Sequence, residues 1–189
     1  EMCIRDSVET DISAGLTGME IVGLAGTAVK ESKERIRSAI KNSGMIYPAK
    51  RITVNLAPAD TKKDGPTFDL ALAVGILAAS EQIVMKKYKE FVFLGELSLD
   101  GKLRGVCGVM PLLISAVQQG YTRFIVPKDN AKEAAFIEGT EVFAFEKLSE
   151  VVGFLNGVEN YLPVLHTSYD SSLKTDGYDV DMSDIKGQA

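Results

Sequence analysis

Polar and apolar residues alternate in two short segments near the start of the chain. Residues 8–12 and 19–24 each follow this two-residue period, which predicts two β-strands joined by the turn sequence SAGLTG. The sequence RITVNLAP at residues 51–58 is rich in β-branched residues and predicts a third strand, which Pro58 closes.

A helical period replaces the alternation between the second and third predicted strands. Val29, Ile36 and Ile40 recur at helical spacing, so we expect a helix over residues 28–42 that buries these three side chains. Thr27 lies where an N-cap residue is expected, and the sequence NSG predicts the end of the helix.

A second predicted helix, TFDLALAVGILAAS, is apolar on almost every side and should therefore be buried. Pro66 suits its first turn, where a missing N–H costs nothing. Its single charged residue, Asp69, lies in that first turn, where the helix dipole favours an anion. The following sequence, FVFLGELSLDGKLRGV, predicts a hairpin with Asp100 and Gly101 at the turn.

Strands and helices alternate through the rest of the body. Helices are predicted over residues 109–119, 131–137 and 148–155, with strands at RFIVP and EVFAF between them. This alternation indicates an α/β fold, in which helices and strands pack as layers.

The composition restricts the chemistry of the chain. The 189 residues are 46% hydrophobic and carry a net charge of −5, of which residues 166–189 contribute −3. The nearly neutral body excludes a strongly basic surface over the whole domain. The single histidine, His166, lies outside the body, which excludes a histidine-based zinc site or a Ser-His-Asp triad there. The two cysteines are too few for a disulfide framework, so the cytoplasm is the expected location. No apolar run is long enough to span a membrane.

Both ends of the sequence differ from the body. Residues 1–7, EMCIRDS, resemble translated adaptor sequence, although an ordinary polar N-terminus is the alternative. We expect a domain over residues 8–157 and, because Ser, Asp, Thr and Gly become frequent from His166 onwards, a linker over residues 158–182.

Three segments carry a resemblance to the peptidase domain of Lon proteases: KKDGPTFDLALA, LGELSLDGKLRGVCGV and AVQQGYTRFIVPKDN. The resemblance implies a Lon-protease-like βαβ fold of the ribosomal-protein and GHMP-kinase type, with a mixed sheet and packed helices. It places Thr67 at the position of the nucleophilic serine, Cys107 and Gly108 at a Gly-Gly pair, and Leu112 at the position of the lysine base.

A leucine cannot accept a proton, so Leu112 leaves the Thr67 hydroxyl without a base. Lys62 and Lys102 are nearby in sequence, but neither matches the family position of the base. We therefore expect no peptidase activity and interpret Thr67 as a residue whose hydroxyl caps the following helix.

A longer resemblance covers residues 8–155. The stretches VETDISAGLTGMEIVGLAGTAVKESKERIRSAIKNSG and RITVNLAPADTKKDGPTFDLALAVGILAAS resemble the N-terminal domain of the ComM/YifB family of magnesium-chelatase-like AAA+ ATPases. Ala25 and Gly26 depart from the Pro and Asp that are usual there. Residues 183–189 resemble the truncated start of that family's ATPase module.

The resemblance implies that the chain is the non-catalytic N-terminal domain of a hexameric motor that remodels DNA by ATP-driven branch migration. The partners would be the chain's own AAA+ module, five further copies in a homo-hexamer and DNA, with no membrane. The glycine spacing contains no phosphate-binding loop, so no cofactor is expected here, and ATP and Mg²⁺ would bind the missing module. The full-length parent, rather than this chain, would then be the enzyme.

Basic residues cluster around the first predicted helix. We expect contact with DNA or with the ring from Lys30, Lys33, Arg35, Arg37, Lys41, Lys50, Arg51, Lys62 and Lys63. The simpler interpretation is a solvated helix face with Glu–Lys pairs. Three classes stay open: an accessory domain of a DNA-processing motor, an interaction or ring-assembly module without DNA contact, and an active Lon-type peptidase.

Overall fold

A computed structural model describes residues 7–58, 63, 65–84 and 86–167 of the chain. Its first sheet contains β1 (Ser7–Ser13), β2 (Gly18–Val22) and β3 (Arg51–Ala57), with β3 in the centre. Strand β1 runs antiparallel to β3, and β2 runs parallel to it. The sheet is therefore mixed, as the Lon-like resemblance implies.

Two helices pack on the inner side of this sheet. Helix α1 (Thr27–Asn42) connects β2 to β3, and α2 (Asp69–Ala79) follows a 3₁₀ turn at Pro66–Phe68. The predicted inward residues Val29, Ile36 and Ile40 of α1 are all buried, and α2 is buried on nearly every side. The helical period therefore predicted α1 correctly, and the run that is apolar on almost every side predicted the buried helix α2.

The second sheet is wholly parallel. It contains β4 (Val92–Phe93), β7 (Arg123–Pro127) and β8 (Glu141–Phe145), with β7 in the centre. The flanking helices are α3 (Val109–Gln118), α4 (Ala131–Ala134) and α5 (Leu148–Leu155), and the hairpin consists of β5 (Glu96–Leu97) and β6 (Leu103–Arg104).

Strand β7 separates two hydrophobic cores. Ile125 belongs to the first core, which also contains the inner face of the first sheet, α1 and α2. Phe124 and Val126 point the other way into a second core with α3 and α4. Because both faces of β7 are covered, its sequence RFIVP is a continuous apolar run rather than an alternating one.

Four local predictions are wrong in detail. Gly26, not Thr27, is the N-cap of α1, and no side-chain hydrogen bond caps this helix. The hairpin is limited to β5 and β6, since Val92 and Phe93 pair in parallel with β7 instead. Helix α4 ends at Ala134, after which Ile137 makes an i−3 hydrogen bond to Ala134. The fourth concerns Thr67 and is described with the site below.

The predicted linker begins with an ordered segment. The backbone N–H of Val164 donates to Val142 of β8 at 2.7 Å, and the N–H of Thr167 donates to Ala135 at 3.0 Å. The Tyr161 ring packs edge-on against Phe145. Residues 1–6 and 168–189 lie outside the described residues, so the predicted adaptor and ATPase-module segments stay predictions. No helix in the described part of the chain is long and apolar enough to cross a bilayer.

Candidate functional site

The Thr67 loop is joined to the segment before β5 by backbone hydrogen bonds. Gly65 enters the loop with a φ of 91°, a conformation that favours glycine. The Thr67 carbonyl accepts from the Gly95 N–H at 3.0 Å, and the Leu70 N–H donates to the Gly95 carbonyl at 3.1 Å. The Thr67 hydroxyl makes no hydrogen bond within the described residues, so the prediction that it caps α2 is wrong. The 3₁₀ turn runs directly into α2 and replaces a side-chain cap.

Asp69 forms a buried ion pair that the sequence analysis missed. Its carboxylate accepts from Arg35 Nε at 3.0 Å and Nη2 at 3.2 Å, and from the Leu97 N–H at 3.2 Å. The Asp69 side chain is 1% exposed and that of Arg35 is 26% exposed. One carboxylate therefore connects α1, the start of α2 and strand β5.

Burial dominates the protonation equilibrium of this pair. Desolvation raises the pKa of Asp69 above its ordinary value, and the hydrogen bond and charge of Arg35 oppose that rise without cancelling it. The same hydrogen bond raises the pKa of Arg35. The helix dipole, which the sequence suggested as the partner of Asp69, is thus secondary to a specific cation. The available signal was a single carboxylate in an otherwise apolar helix, since such a group needs a partner when it is buried.

The position of the lysine base lies in the apolar second core. Leu112 is 7% exposed and packs in the same core as Val109, Leu113 and Phe124. Helix α3 begins after Gly108, whose φ of 75° is in the left-handed region. The Leu112 position, to which the Lon-like resemblance assigns the base, therefore carries no proton acceptor.

Of the two candidate substitute bases, the structure describes only Lys102. Lys102 is exposed and forms an ion pair with Asp100, with Nζ and Oδ2 3.3 Å apart. Lys62 lies outside the described residues. In the described part of the site, the loop of Thr67 is therefore held by backbone hydrogen bonds to Gly95, and Leu112 is packed in the second core.

Four of the predicted basic residues share one face of α1. Lys30, Lys33, Arg37 and Lys41 lie on successive turns and form what we call the α1 stripe. Lys30, Arg37 and Lys41 are exposed, and Lys33 is half-buried. The Arg37 guanidinium lies over the Tyr47 ring, 5.8 Å from its centroid. Within the described residues, none of the four makes an ion pair.

The other predicted cations lie apart from the stripe. Arg35 is turned to Asp69, and Arg51 pairs with Glu20 at 2.8 Å on the sheet. Lys50 is exposed beside a shallow groove. Lys63 is buried, and its ammonium donates to the carbonyl of Pro58. The structure thus brings together four of the nine residues, and Lys62 lies outside the described part.

Residues 8–130 match the protein family described as subunit ChlI of Mg-chelatase. The chain belongs to this family. It is 43% identical over 183 residues to the competence protein ComM of Haemophilus influenzae, a match that covers 96% of this chain and 36% of that protein. It is also 43% identical over 182 residues to the YifB protein of Escherichia coli, covering 96% of this chain and 35% of YifB. The chain therefore spans about a third of the length of these ChlI-family relatives.

A weaker similarity connects the ChlI-family chain to peptidases. The Lon protease of Brevibacillus choshinensis is 29% identical over 158 residues, which cover 77% of this chain and 20% of the protease. Together with the mixed sheets and packed helices, this similarity confirms the prediction of a Lon-like α/β fold. The predicted ComM/YifB membership is confirmed as well.

Proposed function

We propose that this chain is the non-proteolytic N-terminal domain of a magnesium-chelatase-like AAA+ protein that remodels DNA, with ATP-driven branch migration in transformation or recombination as its activity. The observation that carries the proposal is the similarity to ComM along 96% of this chain, because ComM is named a competence protein. A match of this length extends beyond the peptidase-like framework that the chain shares with Lon proteases.

The geometry of the site supports a non-catalytic role for this domain. Peptide hydrolysis by a hydroxyl nucleophile needs a base within hydrogen-bond reach. Leu112 at the base position is enclosed by apolar side chains, and the loop of Thr67 is tied by backbone hydrogen bonds to Gly95. The domain is therefore proposed to support the motor rather than to cut peptides.

The remaining parts of the proposed machine lie beyond this domain. ATP and Mg²⁺ would bind an AAA+ module that follows the linker predicted at residues 158–182. The module would assemble as a homo-hexamer in the cytoplasm, and the basic residues around α1 would contact the DNA or the ring. The full-length protein would be an ATP-hydrolysing enzyme even though this domain is not.

A protein-interaction or ring-assembly module without DNA contact is the second candidate. Exposed aliphatic side chains at one end of the first sheet favour it: Leu16 in the turn between β1 and β2 is 94% exposed, and Ile46 before β3 is 75% exposed. Both loops lie at the same end because Ser13 and Gly18 pair with Arg51. Two large apolar side chains exposed at one end of a sheet would suit a contact with another protein surface.

The deciding experiment uses the full-length protein from the same gene. We expect it to hydrolyse ATP with Mg²⁺, to be stimulated by DNA, and to move the branch point of a labelled four-way junction only when ATP is present. It should leave casein intact under the same conditions. An ATPase that forms rings but ignores DNA would favour the assembly module instead.

A further inference from the structure

Apart from Lys63, the cations whose side chains the structure describes fall into two groups according to whether they form an ion pair. Ion pairs occupy Arg35, Arg51, Lys102, Arg104, Arg123 and Lys128. The described cations that make no ion pair are Lys30, Lys33, Arg37, Lys41, Lys50, Lys89, Lys132 and Lys147. Half of this second group lies on one face of α1, although the chain as a whole is acidic.

The α1 stripe keeps its positive charge despite nearby acids. Glu34 lies on the same face, and Glu20 on β2 feels the charge of Lys33 but forms its hydrogen bond with Arg51. The face that carries the four stripe cations and the single carboxylate of Glu34 thus has a net charge of about +3. A helix face that is largely exposed and carries this excess attracts polyanions, and attraction of this kind is strongly dependent on salt.

The stripe lacks a surface on which nucleobases could stack. The Tyr47 ring is half-buried and lies under Arg37, so its accessible face is already occupied by the guanidinium. Proteins that hold single strands normally combine cations with exposed aromatic rings. A row of cations along a helix, about 16 Å long from Lys30 to Lys41 at 1.5 Å per residue, instead suits the regular charges of a phosphate backbone.

We infer that Lys30, Lys33, Arg37 and Lys41 bind the phosphate backbone of duplex DNA without reading its sequence. The inference rests on the proposed function and narrows it, because it assigns the contact to the stripe and leaves Arg35, Arg51 and Lys63 to the fold. Contacts with phosphates position a protein on DNA and carry no direct sequence information.

The test measures the salt dependence of binding by the purified 189-residue chain. A fluorescent 30-base-pair duplex is titrated at KCl concentrations from 20 to 200 mM, and anisotropy gives the affinity. Four phosphate contacts predict a log–log slope of about −3.6, since each contributes about −0.9. The Lys30→Gln/Arg37→Gln/Lys41→Gln variant should lower the magnitude of the slope by about 2.7 and weaken binding at least tenfold at the lowest salt.

A matched variant removes the same number of charges elsewhere. Lys89, Lys132 and Lys147 are exposed and make no ion pair within the described residues, so Lys89→Gln/Lys132→Gln/Lys147→Gln has the same net charge as the stripe variant. It should keep the slope of the unchanged chain. Equal losses in the two variants would show attraction to net charge alone and would overturn the assignment to the stripe.

Two competitor probes test the kind of partner. A single strand of the same length should bind more weakly than the duplex, and poly-L-glutamate of equal charge should compete poorly. Tighter binding of either probe would overturn the choice of duplex DNA. If the chain ignores the duplex while the ATPase of the full-length protein still responds to DNA, this inference fails and the proposed function stands. If the stripe binds but the ATPase ignores DNA, the proposed function fails instead.

Discussion

The surroundings of Thr67 and of Leu112 differ, although the Lon-like resemblance assigns both residues to the chemical positions of a peptidase. Near Thr67 the chain retains polar interactions: backbone hydrogen bonds to Gly95, and the buried carboxylate of Asp69 held by Arg35. Around Leu112 the described contacts are apolar and belong to the second core. Thr67 lies beside a polar junction between elements, and Leu112 is part of the hydrophobic interior.

This difference shows that the two halves of the framework are stabilised by different forces. The junction depends on hydrogen bonds and on a desolvated ion pair, which are costly to leave incomplete. The region of Leu112 depends on close packing, which is sensitive to volume and to buried charge. Restoring a lysine at Leu112 would thus damage the second core without repairing the loop of Thr67.

The largest effect is expected from Leu112→Lys. The substitution removes apolar packing and forces an ammonium group into the second core, so we expect a loss of about 3–4 kcal/mol in the free energy of unfolding, measured by urea denaturation. Leu112→Met, which conserves volume and polarity, should cost less than about 1.5 kcal/mol. A lysine variant that stays as stable as the parent and cleaves fluorescent casein would contradict the apolar assignment of this position.

The sequence predicted an element correctly where a hydrophobic period or a long apolar run determines which residues are buried. The α1 residues Val29, Ile36 and Ile40 were placed in the core by their spacing alone, and α5 was predicted with its observed bounds, Leu148–Leu155. Helical and strand periods report which face is buried, so they work without knowledge of the partner element.

Prediction from the sequence failed where a residue's role depends on a distant partner. Asp69 and Arg35 are separated by 34 residues in sequence. A lone carboxylate in an apolar helix indicates that Asp69 needs a partner, but nothing in the local pattern identifies Arg35 as that partner. The same limit applies to the nine predicted cations, which share a charge but not a surface. Helical spacing alone puts Lys30, Arg37 and Lys41 on the outer side of α1, but only the fold shows that Arg35 points to Asp69.

The second prediction concerns the polar junction. Asp69→Ala leaves Arg35 and the Leu97 N–H without their acceptor, so we expect a loss of about 2–3 kcal/mol in the free energy of unfolding at pH 7. Glu20→Ala removes an exposed partner of Arg51, and its loss should be much smaller because solvent screens that pair. Similar losses in the two variants, measured by urea denaturation, would show that burial adds nothing to the Arg35–Asp69 pair.

The third prediction is the pH dependence of the same junction. Because the pKa of Asp69 is raised in the folded state, its stabilising contribution is fully present below the unfolded pKa of about 3.9 and declines as pH rises through the raised value. Asp100 should behave in the opposite way, since the Ser98 hydroxyl and the Lys102 N–H lower its pKa to about 2. Carboxyl NMR titration separates the two groups, and an Asp69 that titrates below its ordinary value would show that Arg35 outweighs burial.

Asp69→Asn sharpens this prediction. The amide keeps an acceptor oxygen for Arg35 and for the Leu97 N–H, and a raised pKa means that the folded state tolerates a neutral group here. The asparagine variant should therefore be more stable than the alanine variant, and the part of the pH dependence of stability that comes from Asp69 should be absent from it. Equal instability of the two variants at pH 7 would assign the whole effect to the lost negative charge.

The smallest effect is expected from Thr67→Ala, at the position that the Lon-like resemblance assigns to the nucleophile. Its hydroxyl makes no hydrogen bond within the described residues, so the free energy of unfolding should stay within about 0.5 kcal/mol of the parent. Thr140→Ala is the matched control, because its hydroxyl donates to the Ile137 carbonyl at 2.8 Å and its loss should cost about 1 kcal/mol. A larger loss at Thr67 than at Thr140 would mean that the Thr67 hydroxyl has a structural partner. The contrast between this hydroxyl, which makes no hydrogen bond within the described residues, and the hydrogen-bonded Arg35–Asp69 pair beside it would then no longer hold.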